Sequence, residues 1–247
     1  YNGLAYAKKS GFFMFFDEYG FLDTAKEVVI KPQYASVGNF SNRLARVKTK
    51  QFQFLSTPIE KYGFIDREGK VVVPIDLENA GEYYDDRANV TVNEKRGFID
   101  NFGNMVIKPK YDRVGHFANG IAPVLQDTVW GYIDKDGNTK LPFVFQDARP
   151  FSNGLALAKK DGKWGYIDTT GSFVIPCKYE EVGTFSEGLA AVKLTDKWGY
   201  IDMSGNVVIQ PQYDQAYSFF ANLATVRMGN KFGYINKKGE FIWNPSN

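Results

Sequence analysis

Short apolar runs separated by polar turns recur along the whole chain. In the segment "KWGYIDMSGNVVI", alternation places Trp198 and Tyr200 on one face of a strand and Ile201 on the other, whereas the run from Val207 to Ile209 does not alternate. A sheet with one face in water would alternate apolar and polar residues cleanly. The pattern therefore predicts short strands covered on both faces, and in a repeat protein the natural cover is the neighbouring repeat.

The glycine of the "WG" pair recurs every 34 residues, at Gly63, Gly97, Gly131, Gly165, Gly199 and Gly233. A fixed period of this length is typical of a repeat architecture. A less regular first copy brings the expected total to seven units in one domain. The approximate units are 1–39, 40–82, 83–116, 117–150, 151–184, 185–218 and 219–247.

Each unit has four parts. The motif "FSxGLAxV" predicts a turn and a strand, and "KWGYID" predicts a second strand whose glycine leaves room for a close neighbour. The Asp-x-x-Gly segment, Asp202 to Gly205, predicts a type I turn with the aspartate capping its own backbone and the glycine at positive φ. The "VVIxPxYD" segment predicts a third strand.

The connecting segment from Tyr179 to Gly188 is long enough for a short fourth strand. Four short antiparallel strands make the blade of an up-and-down propeller. The sequence therefore predicts an all-β fold of tandem antiparallel repeats, with a seven-unit, propeller-like closed array favoured and an open β-solenoid as the alternative.

The first two units are irregular. In the first, the "WGYID" position falls either on Phe13 to Asp17, with Gly20 as the turn glycine, or on Tyr19 to Asp23. The first register is preferred because it keeps both the strand and the Asp-x-x-Gly turn. In the second unit, about nine residues are inserted around Gln51 to Ile59.

Composition narrows the class of protein. With 44% hydrophobic and 16% aromatic residues the chain can form a packed interior, and no apolar run approaches the roughly 20 residues of a membrane helix, so a soluble chain without membrane insertion is expected. Thirty Lys and Arg against 28 Asp and Glu give a formal charge of +2, with no arginine-rich tract, which argues against a nucleic-acid partner. Because the chain starts at Tyr1, it is expected to be part of a longer protein.

Candidate catalytic and metal-binding residues are few. Cys177 and His116 are the single cysteine and histidine, which excludes an internal disulfide and a cysteine-based zinc site. Both stand at repeat positions where a structural role is favoured. The recurring aspartates are explained by turn capping, and "DKDGN" from Asp134 lacks the glutamate that a calcium-binding loop needs. We therefore expect no metal, no cofactor and no enzymatic activity.

Two groups of residues are candidates for binding. A lysine precedes the aromatic position in five units, at Lys61, Lys95, Lys163, Lys197 and Lys231. These lysines are interpreted as solvated strand ends, with a weakly basic rim for an anionic partner as the alternative. Lys50, Phe52 and Phe54 lie in the insertion that no other unit has, so they form either a recognition loop or a strand that covers a sheet edge.

The repeated aromatic residues are interpreted as core that fills the space between sheets. The alternative is a set of rings that stack on sugars, as in a lectin, but stacked repeats need large apolar groups between their sheets.

The tandem pattern, cleanest at Lys163 to Asp168 and Lys197 to Asp202, resembles the bacterial WG-repeat family over essentially the whole chain. The resemblance implies a β-repeat module, often attached to other domains, that offers an interaction surface and has no established catalytic residues. Arg96, Asn236 and the first unit depart from the pattern.

We therefore expect a non-enzymatic interaction or scaffold module that binds a protein or a cell-envelope polymer, in a bacterial envelope or secreted setting. A carbohydrate-binding module is the alternative, and an enzyme with its site in the insertions is a third hypothesis.

Overall fold

The described part of the chain is built from β-strands and turns alone. The computed structural model describes residues 4–9, 17–41, 43–51 and 57–244, and every element in these ranges is a strand. They accordingly include no helix that could span a membrane. The chain divides into two compact units, each larger than a single repeat and called unit 1 and unit 2 below. Unit 1 is formed by 1–127 with 133–138, and unit 2 by 128–132 with 139–247.

Unit 1 contains one sheet of three strands and two of four, each ordered as the strands follow in the sequence. Its strands are β1 (Ala5–Lys9), β2 (Glu18–Leu22), β3 (Val28–Tyr34), β4 (Ser36–Val37), β5 (Ala45–Gln51), β6 (Ile59–Ile65), β7 (Val71–Leu77), β8 (Asn79–Tyr84), β9 (Arg87–Val92), β10 (Lys95–Asp100), β11 (Met105–Tyr111), β12 (Arg113–Val114) and β13 (Ile121–Gln126). β12 pairs antiparallel with β13.

Unit 2 repeats the same arrangement in three sheets of four strands, β16 to β19, β20 to β23 and β24 to β27. The strands from β14 onward are β14 (Val129–Asp134), whose residues fall in both units, β15 (Thr139–Phe145), β16 (Asp147–Ala148), β17 (Ala156–Lys160), β18 (Lys163–Ile167), β19 (Phe173–Tyr179), β20 (Glu181–Val182), β21 (Leu189–Leu194), β22 (Lys197–Asp202), β23 (Val207–Tyr213), β24 (Gln215–Ala216), β25 (Ala224–Met228), β26 (Lys231–Ile235) and β27 (Phe241–Trp243).

The connecting segment does form the predicted fourth strand. Glu181 and Val182 pair with Lys193 and Val192, so the two-residue β20 starts the sheet that β21, β22 and β23 complete. The predicted fold class, an all-β, propeller-like series of tandem four-stranded antiparallel sheets, is confirmed. The closure of the array stays a prediction.

The glycine of the "WG" pair allows a close approach of two strands, as predicted. β22 and β23 pair at Trp198–Tyr213 and Tyr200–Ile209, with a register shift between the two pairs. A Cβ atom on Gly199 would lie 2.5 Å from the carbonyl oxygen of Ile209 and 2.7 Å from the nitrogen of Pro211. Any side chain at this position would therefore collide with the backbone of β23.

The Asp-x-x-Gly turn also has the predicted geometry. One carboxylate oxygen of Asp202 accepts hydrogen bonds from the backbone N–H groups of Ser204 and Asn206, both at 2.9 Å. The N–H of Gly205, at φ +83°, donates to the Asp202 carbonyl. These bonds show that the aspartate stabilises the turn. Within the described ranges, no group of three His, Cys, Asp or Glu side chains is placed to hold a metal ion.

The core lies between successive sheets, as a covering of both faces requires. In unit 2, Ile201 on one face of β22 packs in the cluster of Tyr166 and Tyr179 from the preceding sheet. Tyr200 on the other face packs in the cluster of the following sheet with Phe219. The prediction that the sheets cover one another is confirmed within this unit.

Burial differs in detail from the expectation. Trp198 is only half-buried at the edge of its cluster, whereas Tyr200 is fully buried. Val207 and Val208, expected inside with the rest of their run, are exposed, because they begin the outer strand ahead of the buried Ile209. The largest share of the apolar packing therefore falls on the tyrosine and not on the tryptophan.

Three buried tyrosine hydroxyls of unit 2 connect one sheet to the segment that starts the next sheet. Tyr132, Tyr166 and Tyr200 donate to the carbonyl oxygens of the residues 17 positions later, at 2.9, 2.7 and 2.8 Å respectively. Burial raises the pKa of each of these tyrosines, because the charged phenolate would lose its hydration.

The preferred register of the first repeat is wrong, and the alternative is correct. Tyr19 pairs with Tyr34 in the way that Trp198 pairs with Tyr213. Asp23 caps the turn by accepting hydrogen bonds from two backbone N–H groups. The preference rested on the Asp-x-x-Gly signature, but in this turn Lys26 takes the positive φ, 68°, that glycine takes in the other repeats.

Candidate functional site

The predicted lysine row lies at the ends of the strands, where three of its members pair with carboxylates. Lys95 lies 2.5 Å from Asp112, as the shortest of these contacts. The same pairing, at a spacing of 17 residues, joins Lys163 to Glu180 at 3.5 Å and Lys197 to Asp214 at 2.6 Å.

In each pair the negative charge of the carboxylate offsets the positive charge of the lysine. The hydrogen bond from Lys95 lowers the pKa of Asp112. Lys61 donates to the backbone carbonyl of Asp76 at 3.1 Å, and Lys231 is exposed at the start of β26. The basic rim stays a prediction, but the carboxylates beside its lysines give it little excess charge.

The insertion is described only in part. Lys50 lies opposite Glu60 in the pairing of β5 with β6, with its ammonium 3.7 Å from the carboxylate. Phe52 and Phe54 lie outside the described residues. The choice between a recognition loop and a covering strand stays a prediction.

The single histidine and the single cysteine have local structural partners. The ring of His116 stacks on Tyr84 with centroids 4.4 Å apart, and burial lowers its pKa. The thiol of Cys177 points to the carbonyl oxygen of Ala158 at 3.7 Å, and burial raises its pKa. A raised pKa disfavours the thiolate that a nucleophilic cysteine needs.

A pocket of about 480 Å³ opens among three turns of unit 1. The turns are the one before β5, the one after β6 and the one after β10. The residues that line the pocket are Arg43, Leu44, Asp66, Arg67, Glu68, Val72, Asn101 and Phe102. A volume of this size is in the range of small-molecule and side-chain binding sites.

Two of these residues, Arg43 and Phe102, depart from what several other repeats carry at the same positions, whereas the Arg67 position is also basic at Lys135 and Lys237. Three later repeats have glycine in place of Arg43, and four have a polar residue in place of Phe102. The corresponding residues are Gly120, Gly154 and Gly188 for Arg43, and Asp136, Thr170, Ser204 and Lys238 for Phe102. Packing of the repeat therefore does not require an arginine or a phenylalanine at these positions.

Both arginines of the pocket lie over aromatic rings. The guanidinium carbon of Arg43 is 5.2 Å from the ring centre of Phe102, and that of Arg67 is 5.5 Å from the ring centre of Phe40. The Phe40 ring is buried, whereas the Phe102 side chain is 58% exposed. Stacking of this kind orients the plane of a guanidinium.

The carboxylates of the pocket differ from each other. Asp66 accepts hydrogen bonds from the backbone N–H groups of Glu68 at 3.2 Å and Lys70 at 2.8 Å, so it is engaged in its turn. Glu68 occupies a turn position where other repeats have Phe102, Asp136, Thr170, Ser204 or Lys238. The pocket thus combines two oriented cations, one carboxylate outside the turn capping and an exposed ring.

Sequence analysis missed this pocket, although a signal was present. Arg43 and Phe102 each break a pattern that the chain repeats several times. Their positions in two turns, belonging to two sheets, do not by themselves indicate that they line one space. The backbone arrangement of the turns supplies that information.

Comparison with known proteins identifies the family and supports the fold. The model of the WG containing repeat matches residues 19–51, 62–95, 97–127, 130–164, 164–198 and 198–232. No curated protein sequence matches the chain.

Several solved structures are similar in fold. The crystal structure of the eukaryotic initiation factor has a TM-score of 0.58 at 14% identity, covering 93% of this chain and 72% of that one. Hsv2 of Kluyveromyces lactis has a TM-score of 0.48 at 10% identity, covering 79% and 70%. AztD of Citrobacter koseri has a TM-score of 0.45 at 12% identity, covering 99% and 80%.

The likeness to the initiation factor supports the propeller-like fold alone, while the six tandem matches to the repeat model account for most of the sequence. The chain therefore belongs to the family of WG containing repeats.

Proposed function

We propose that the chain is a non-enzymatic interaction module that binds a protein or a cell-envelope polymer, with the pocket lined by Arg43 and Phe102 as its contact site. The observation that carries the proposal is the convergence of these departures from the repeat on one space. Residues that repeat packing does not require are the natural place for a function specific to this chain.

The side chains of the pocket support binding in preference to catalysis. Hydrolysis of a glycosidic bond uses a pair of carboxylates with different roles, one as acid and one as base or nucleophile. Of the two carboxylates in the pocket, Asp66 is held by its turn, which leaves Glu68 without a catalytic partner of that kind. Arginine and an exposed aromatic ring are the residue types that dominate contact sites between proteins.

The test replaces each departing residue by the one that other repeats use. In the double variant Arg43→Gly and Phe102→Thr, the residues of other repeats are restored, so the melting temperature should stay close to that of the wild type. Immobilised wild-type protein is expected to bind a protein or an envelope polymer of the source organism saturably, and the double variant to lose this binding.

Arg113→Gln is the matched control, since it removes one exposed positive charge of unit 1 that does not line the pocket. Binding that survives in the double variant would show that the contact site lies elsewhere. Recovery of the bound partner with an altered mass would show an enzymatic reaction and contradict the non-enzymatic role.

A carbohydrate-binding role is the second candidate, and the exposed Phe102 ring favours it. Aromatic rings offer their faces to the apolar side of a sugar. Saturable binding to one sugar class on a glycan array, lost in Phe102→Thr, would select this candidate over the protein partner.

A further inference from the structure

We infer that the last sheet of unit 2 is an interaction surface for a second copy of the chain, which meets it face to face about a two-fold axis. The surface consists of Phe220, Phe232, Tyr234 and Trp243 and is called the aromatic face below. It belongs to the repeat of β24 to β27 and includes none of the residues that line the pocket of unit 1.

In the preceding sheet, the corresponding side is covered by the repeat that follows. Tyr200 of β22 is fully buried, and its ring centre lies 4.9 Å from that of Phe219 in the next repeat. Ile209 of β23 is also buried. Tyr234 and Trp243 stand 34 positions after Tyr200 and Ile209, but they are 45% and 48% exposed. The last sheet therefore leaves in water the side on which the preceding sheet packs against its neighbour.

The four aromatic residues lie on one side of the last sheet. Tyr234 pairs with Trp243 across β26 and β27, and their ring centres are 5.8 Å apart. Phe232 is two residues before Tyr234 on β26, so it points to the same side. Phe220 stands where the preceding repeat has Ser186, whose hydroxyl donates to a backbone carbonyl of the following repeat at 2.7 Å. This position therefore also faces the side of the next repeat.

Trp243 makes the aromatic face unsuitable for a further sheet stacked as the repeats stack. The other repeats have an aliphatic residue at this position, against which the turn glycine of the following repeat packs. These aliphatic residues are Ile30, Val73, Ile107, Leu141, Ile175 and Ile209. A Cβ atom on Gly239, for example, would lie only 3.1 Å from the Ile209 side chain. A tryptophan does not fit in this space, so a partner has to approach the face in another way.

The exposed area of the aromatic face suits a dimer of identical chains. Phe220 is 84% exposed and Phe232 is 45% exposed. At about 200 Å² for an aromatic side chain, the four residues leave roughly 450 Å² of each copy in water. Two copies would bury roughly 900 Å² through these rings alone, and specific interfaces begin at about 1,000 Å², which residues at the rim would supply. A two-fold axis places the same patch on both sides of the contact, so each ring meets an apolar partner.

The polar groups of the aromatic face favour a protein partner over a sugar. The residues opposite Tyr234 and Phe232 on β25 are Thr225 and Arg227. Arg227 directs one guanidinium N–H back to its own hairpin, to the carbonyl of Gly229 at 3.1 Å. Recognition of a sugar needs several polar groups placed for its hydroxyls as well as rings. Contact of ring against ring, in contrast, is how the sheets of unit 2 already pack.

The experiment measures the mass of the whole chain by sedimentation velocity from low to high micromolar concentration. Twice the chain mass of 27.9 kDa is expected at the higher concentrations. Tyr234→Lys places two like charges in the contact, and Trp243→Ile restores the residue type of the other repeats. Each should weaken the dimer by roughly tenfold to a hundredfold, as changes at the centre of an interface do. Val208→Lys is the matched control, because it adds the same charge at an exposed apolar residue of the preceding sheet and should leave the dimer unchanged.

Quenching of tryptophan fluorescence by acrylamide reports on the face directly. Trp243 is one of four tryptophans, so its share of the quenching is the difference between the wild type and Trp243→Ile. This share is expected to be large in dilute protein and to fall as the dimer forms. The melting temperature of Tyr234→Lys in dilute solution should stay close to that of the wild type, which shows that loss of the dimer is not loss of the fold.

Each other outcome contradicts the inference in a different way. A monomer at every concentration, with Trp243 open to the quencher, would overturn it. A monomer in which Trp243 is shielded would overturn it in favour of a contact within one chain. Growth beyond two copies would show head-to-tail contact, and a dimer that persists in Tyr234→Lys would have its interface elsewhere. Saturable binding to a glycan by a monomer, lost in Trp243→Ile, would assign the face to a sugar. None of these variants changes a residue of the pocket, so the binding test of the proposed function stands apart from them.

Discussion

Substitution of Gly199 by alanine tests whether the close approach of β22 and β23 is a requirement of the fold. The added Cβ atom would lie 2.5 Å from the carbonyl oxygen of Ile209 and 2.7 Å from the nitrogen of Pro211. Ordinary contacts of a Cβ atom lie at about 3.4 Å or more, so β23 would have to move by nearly 1 Å. Both obstructing atoms are backbone, and they cannot rotate away.

The expected cost follows from the kind of atom that must move. Overpacking in a well-packed interior costs about 1–3 kcal/mol when side chains can adjust. Since a strand must shift in this case, we expect a loss of about 3 kcal/mol or more in the free energy of unfolding.

Two other glycines serve as controls. A Cβ atom on Gly183 would lie 3.6 Å from the nearest atom, the carbonyl oxygen of Ala191. Alanine should therefore be neutral there or stabilise by about 0.4–1 kcal/mol through the unfolded chain. Gly154 has open space but a φ of +80°, so alanine should cost about 1–2 kcal/mol through backbone strain alone.

The assay is urea denaturation followed by tryptophan fluorescence, with the midpoint and slope measured for all three variants. We expect the midpoints to fall in the order Gly183→Ala, Gly154→Ala, Gly199→Ala, from highest to lowest. A midpoint for Gly199→Ala at or above that of Gly154→Ala would refute the reasoning, because the space around the glycine would then not limit the packing of the two strands.

Four further predictions concern the same repeat. Tyr200→Phe removes the hydroxyl that donates to the Tyr217 carbonyl at 2.8 Å, and we expect a loss of about 1–2 kcal/mol in urea denaturation. Tyr200→Ala should cost about 3–5 kcal/mol and Trp198→Ala distinctly less, because the tyrosine is fully buried and the tryptophan is not; equal losses would contradict this. Asp202→Ala removes two bonds to turn N–H groups and should cost about 0.5–2 kcal/mol, provided that turn capping resembles helix capping. Burial raises the pKa of Tyr200 above its ordinary value of 10.0, so we expect the neutral hydroxyl to make its full contribution to the free energy of unfolding below that pH and a smaller one as the pH rises beyond it. A urea midpoint that stayed constant while tyrosinate absorbance increased would contradict this.

The repeated residues were the predictable part of the molecule. The same residue types recur at the same positions of several repeats. The roles of the turn aspartate, the strand glycine and the apolar residues between sheets could therefore be predicted from this recurrence. The short fourth strand was also predictable, because a connection of that length must return the chain to the start of the next sheet. The residues of one repeat and its neighbours were enough to predict these features, because the contacts involved lie within a repeat or between adjacent repeats.

Three features were misjudged or missed for physical reasons. In the turn of the first repeat, Lys26 takes the positive φ that glycine takes elsewhere. This backbone conformation is unusual but allowed for lysine, so a search for the glycine signature does not detect the turn. Trp198 was expected deep in the core because of its size, yet its position near the start of β22 leaves it half in water. The pocket of Arg43 and Phe102 depends on how separate turns meet, which periodicity does not encode.

The short first strand of each sheet has a consequence for how such proteins can gain or lose repeats. β20 lies ahead of the "FSxGLAxV" motif from Phe185 to Val192 and belongs to the sheet that this motif continues. In the same way, β24 lies directly after β23 but starts the next sheet. A duplication or deletion that runs from one motif to the next would therefore separate each edge strand from the sheet it was selected with. Only cuts ahead of the edge strand, near Tyr179 or Tyr213, would transfer a whole sheet with its own edge strand. Gene fusions that shorten or extend such arrays are expected to have their junctions there.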